Sequence, residues 1–203
     1  MKSLSEIEMV SKRSSKATGF SWGIAEEIGK NIRMLEMFGL SGIKNLNYYF
    51  KVRNVKKFEK LNLINKENKT PKAEFCPIIA GISFLDQVRS LENFGEINFE
   101  KIAYPLLFLP FVSRASEIIG KKIKLKIDNK VFLLNFNNSI YSNSLNGGII
   151  EKGNIVLVSF EENKDSFDEE EWKNLYKLSE NTFVEESESL KVAGAGAGLT
   201  DND

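Results

Sequence analysis

A chain of 203 residues is long enough for one substantial hydrophobic core and short of a comfortable pair, and its 42% hydrophobic and 28% charged residues sit near globular averages, against both a disordered chain and a membrane protein. Histidine is missing altogether, which excludes Ser-His-Asp and Cys-His catalysis, HExxH zinc proteases and most tetrahedral zinc sites, while a single cysteine excludes an internal disulfide. Lys plus Arg equals Asp plus Glu at 28 each, so the field of the whole chain gives no reason to expect nucleic acid or an anionic membrane as partner.

The opening Met1-Lys2-Ser3 runs directly into polar residues with no apolar leader, so a cytoplasmic location is expected. Ser3 with Glu6, and Ser5 with Glu8, each have capping-box spacing for a first helix that Gly19 closes. Ser21 is placed to cap a second, whose Ala25, Ile28, Ile32 and Leu35 fall on one stripe and which ends at Gly39. Over residues 40–60, Tyr48, Tyr49, Phe50 and Phe58 interleave with Lys44, Lys51, Arg53, Lys56, Lys57 and Lys60. Such a mixture serves single-stranded nucleic acid binders, but in a chain of zero net charge an amphipathic helix with a solvated basic face is preferred, and no nucleic acid is expected.

Asn65 to Lys72 is predicted to be a loop. Pro77 opens a third helix along Ile78, Ile82, Leu85, Val88 and Leu91, stopped by Asn93 and Gly95. Pro105 to Ile119 predicts a fourth helix, bent or restarted at Pro110 and capped by Gly120. The apolar run Ile102 to Val112 is about half of the roughly 20 residues a bilayer span requires. The period then changes: Ile123, Leu125 and Ile127 alternate with lysines, Asp128-Asn129 turns the chain, and Val131 to Phe136 returns as the second arm of a hairpin. Ile155 to Phe160 is expected to add a third strand, with Ile149-Ile150 as a short partner. Asp168 to Leu178 reads as a last amphipathic helix with Trp172, Leu175, Tyr176 and Leu178 inward. The expected fold is a single α+β domain over 1–203: a helical part over about 1–120, a hairpin and small antiparallel sheet over about 121–160, and a helix and tail over about 165–203. Four to five helices pack beside the sheet.

Three places stand out for function. The end of the chain alternates glycine with alanine at Gly194, Gly196 and Gly198 and closes on Thr200, Asp201 and Asp203. Either it is a disordered terminus, or its bare backbone lies close against the protein's own body or a partner's, with its carboxylates on a basic surface. Cys76 precedes Pro77 and so faces the orphan amides of a helix start, which favours a nucleophilic thiolate; the plainer alternative is a small buried hydrophobe. Trp22, Glu26 and Glu27 cluster at a helix start, where acids are also routine dipole partners, and Asp86 is an inward-facing general base or a residue of an exposed helix face.

Together, Ser21-Trp22-Gly23-Ile24-Ala25-Glu26-Glu27, Cys76-Pro77-Ile78-Ile79-Ala80-Gly81 and the closing Ala-Gly-Ala-Gly-Ala-Gly-Leu-Thr-Asp-Asn-Asp resemble a proteobacterial domain-of-unknown-function family whose members end in the same tail. That resemblance implies relatives without implying a reaction, and it adds weight to an ordered tail. The leading expectation is a binding or accessory protein, with no cofactor, no membrane, and another protein chain or a small molecule as partner. The alternative is a small histidine-free enzyme, an isomerase, lyase or hydrolase, using Cys76 or an Asp/Glu acid-base group.

Overall fold

A computed structural model describes residues 2–70, 72–144 and 148–183, in two compact units, 1–163 and 164–203. The first unit begins with α1 (Leu4–Ala17), capped by the Ser3 hydroxyl, which accepts from the Glu6 amide at 3.1 Å. Gly19, at φ +93°, turns the chain with a backbone that side chains rarely adopt, and α2 (Trp22–Met37) starts behind Ser21. α2 lies along α1 and buries Ala25, Ile28, Ile32 and Leu35, the stripe expected from its period. α3 (Gly42–Arg53) follows, then α4 (Pro77–Leu91) and α5 (Leu109–Ile119).

The strands are β1 (Glu67–Asn68), β2 (Glu96–Phe99), β3 (Ile102–Ala103), β4 (Ile123–Ile127), β5 (Lys130–Asn135), β6 (Ser139–Ser142), β7 (Lys152–Gly153) and β8 (Val156–Phe160). Six of them form one sheet in the order β1-β2-β8-β4-β5-β6, and β3 pairs with β7 in a second. β1 runs parallel to β2, the other pairings between these strands are antiparallel, and Phe75 makes isolated parallel bridges to Glu59 and Ile102. Ile123, Leu125 and Ile127 of β4 are buried while its lysines are not, so the alternation seen in the sequence marks the face on which α5 packs. The rings of Phe84, Phe99, Phe108 and Phe111 fill the layer between helices and sheet, with Phe108 edge-on to both Phe84 and Phe99. α4 meets α5 closely at Gly81, where a Cβ would stand 2.1 Å from the Phe111 ring.

This architecture is α+β, but it corrects the expectation of four to five helices beside a small antiparallel sheet. Among the described residues there are six α-helices, and the larger sheet is six-stranded and mixed. The expected loop at 65–72 contributes β1, because the buried Asn68 side chain donates to the Asn65 and Asn98 carbonyls and holds the segment against β2. Lys152–Gly153 forms β7, and Ile149-Ile150, expected as a short strand partner, forms no strand. Strands two residues long carry no alternation, so periodicity passes over them. Pro105–Leu107 forms a 3-10 turn, and Pro110 sits in the first turn of α5, where its missing amide has no partner to lose.

The second unit contains α6 (Glu169–Glu180), started by a capping box between Asp168 and Glu171. Trp172, Leu175, Tyr176 and Leu178, expected inward, are exposed: the amphipathic period defines a face and does not provide its cover.

Candidate functional site

The first unit holds a cleft of about 730 Å³ where the α1–α2 turn, the end of α3, residues 54–60 and the start of α4 converge. Long-range backbone bonds bring these pieces together. The Glu59 amide donates to the Glu74 carbonyl at 2.9 Å, the Cys76 amide to the Glu59 carbonyl at 2.8 Å, and the Phe75 amide to the Lys101 carbonyl at 2.8 Å. Residues 56–60 are thereby laid beside the approach to α4.

Cys76 is the N-cap of α4, as its position before Pro77 predicts: its sulfur accepts from the Ile79 amide at 3.5 Å. It is 5% exposed and lines the cleft. The fully buried Tyr49 hydroxyl meets its sulfur at 3.0 Å. Burial, then the neighbouring Cys76, pushes the Tyr49 phenol far above its ordinary range, so it keeps its proton at any pH the protein would meet. Phe58 stacks on the Tyr49 ring at 5.4 Å and closes one side of this floor.

The walls are cationic. Arg53, Lys56, Lys57 and Lys60 line the cleft, and no Asp or Glu does among the described residues. Two of the four are engaged. Arg53 donates to the Thr18 carbonyl and lies 4.1 Å above the Phe20 ring, which fixes the guanidinium against the α1–α2 turn. Lys56 pairs with Glu74 and stands 5.8 Å over Phe58. Although burial pushes the Glu74 carboxyl up, the Lys56 ammonium and a backbone amide bring it below its ordinary value. Lys57 and Lys60 have no carboxylate partner among the described residues.

The remaining expected site residues are dispersed. Trp22, 57% exposed, carries the Lys16 ammonium 5.5 Å over its ring. Glu26 binds Lys12 at 3.0 Å and Lys30 at 3.1 Å, contacts that hold its carboxyl below the ordinary range. Glu27 shares Lys30 with Glu26, at 3.4 Å, and also pairs with Arg114 and lines a shallow hollow of about 270 Å³ together with Asp86. The structure thus joins Glu27 with Asp86 and separates both from Cys76. Gly194, Gly196, Gly198, Thr200, Asp201 and Asp203 lie outside the described residues. Among the described residues no group of three or more Cys, Asp or Glu is placed to hold a metal, and no helix is long and apolar enough to cross a membrane.

Residues 2–80 match a family model described as a protein of unknown function (DUF3726). Every residue lining the cleft falls within that stretch. No curated protein and no solved structure matches the chain.

Sequence reasoning weighed the basic residues of 44–60 as a solvated face and took Tyr49 only as one ring of that run, not as a partner of Cys76. The signal available was the crowding of Arg53, Lys56, Lys57 and Lys60 around one acid, Glu59, in an otherwise neutral chain.

Proposed function

We propose that this chain is a binding or accessory protein whose cleft takes a small anionic ligand. The observation that carries the proposal is the sign of the lining: four cations and no carboxylate around about 730 Å³, in a chain whose charges sum to zero. The volume suits a small molecule. Phe20, Ile24, Phe58 and Ile79 offer apolar surface to the ligand's body, and Thr18, Ser21 and Asn54 offer polar groups to orient it. Small organic anions are expected to raise the melting temperature where their neutral isosteres do not, with the effect shrinking as salt is added. Equal shifts from charged and neutral members of each pair would reject the cleft as an anion site. Native mass spectrometry of freshly purified protein would identify a co-purified ligand directly.

A second reading draws on the placement of Cys76 on the wall of this cleft, at a helix start and bonded to Tyr49. It makes the chain a thiol-dependent enzyme, with the anionic substrate held over the sulfur. Alkylation of Cys76 faster than a free model thiol, and loss of turnover in Cys76→Ser, would support it; a slow thiol or an active serine variant would end it. The resemblance of the closing glycine-alanine sequence to the tail of a domain-of-unknown-function family motivates a docking role for residues 192–203. Deleting them should abolish a pull-down interaction or lower the melting temperature, and no change in either would reject that role.

A further inference from the structure

Resting on the cleft as the binding site, we infer that its ligand is a phosphomonoester of an apolar organic group, anchored as a dianion by Lys57 and Lys60. Arg53 is committed to Thr18 and Phe20, and Lys56 to Glu74, so these two shape the wall. Two ammonium groups remain without a carboxylate among the described residues, and they stand three positions apart on the same rim. A single carboxylate neutralises one of them. A phosphomonoester, whose second proton leaves near pH 6, carries close to two charges at neutral pH and offers three acceptor oxygens, enough for both ammoniums.

The organic half of the assignment comes from the apolar part of the lining. Ile24 and Ile79 present aliphatic surface, and the faces of Phe20 and Phe58 are already occupied in part by Arg53 and Lys56. Burying an apolar group there adds affinity that inorganic phosphate lacks.

Calorimetric titration of the full chain at pH 7.5 with phenyl phosphate, inorganic phosphate and benzoate tests each half. Phenyl phosphate is expected to bind at least about tenfold more tightly than either of the others, and Lys57→Ala or Lys60→Ala to weaken it by about tenfold, the worth of one charged hydrogen bond. Lys126→Ala, on an exposed position of β4, should leave it unchanged. Benzoate binding as tightly as phenyl phosphate overturns the dianion while leaving an anion cleft in place; inorganic phosphate binding as tightly overturns the organic half. Wild-type affinity in both lysine variants overturns the anchor. Failure of all three ligands and of other small anions overturns the cleft itself.

Discussion

The contact between the Tyr49 hydroxyl and the Cys76 sulfur joins residues 27 positions apart, and each half of it had a different visibility in the sequence. Cys76 was legible because a proline at the next position announces a helix start, and the residue before such a start is a cap. Tyr49 was not, because the Glu59–Phe75 pairing and the Lys56–Glu74 ion pair, which bring the segment after α3 to the approach of α4, are contacts between distant residues. Tyr49→Phe keeps the ring stack and removes the bond, so a loss of about 1 kcal/mol is expected from the denaturation midpoint. At Gly81 the constraint is space: an added Cβ meets the Phe111 ring, backed by a filled core. Gly81→Ala is therefore expected to destabilise by about 1–3 kcal/mol, as overpacking does, despite alanine's better helix propensity.

At the level of elements, the hairpin of β4 and β5 was visible as alternation, and its turn shows what alternation leaves out. Asp128 sits at φ +51°, and its carboxylate accepts from the Asn154 and Ile155 amides, both at 3.1 Å, tying the turn to the start of β8. Asp128→Ala loses both bonds and keeps the strained backbone, so about 2 kcal/mol of stability should go, while Asp128→Asn should retain most of it. The helices of the first unit were legible where apolar spacing and caps agreed, as in α2. β1, β3 and β7 were not, since they are held by pairings to residues tens of positions away. The basic run likewise gave no sign that α3 stops at Arg53. Beyond it, residues 56–60 are claimed by Glu74 and Cys76, and tertiary pairing overrides local preference.

For the whole chain, acid sensitivity follows from three carboxylates. Glu26 is held below the ordinary value of 4.5 by Lys12 and Lys30, Glu100 by the Thr70 amide, and Glu74 by Lys56 against its burial. A depressed carboxyl contributes stability that is fully present above its unfolded value and is lost as pH falls through its folded value. The melting temperature should therefore hold from neutrality down to about pH 5 and fall below it. Glutamine at all three positions should flatten that acid limb, measured by thermal scans across the range.

Asn45 carries a consequence for biosynthesis. From inside α3 its amide donates to the Gly148 carbonyl at 3.5 Å and accepts from the Ile150 amide at 3.4 Å, just as Phe75 leans on Lys101. A nascent chain that has emerged from the ribosome only as far as residue 80 has every residue that lines the cleft but lacks Lys101, Gly148, Ile150 and the buried residues of α4, α5 and the sheet that complete the core behind it. A fragment ending there should remain largely unstructured by circular dichroism while 1–163 folds, so the binding surface is completed only when the sheet strands arrive.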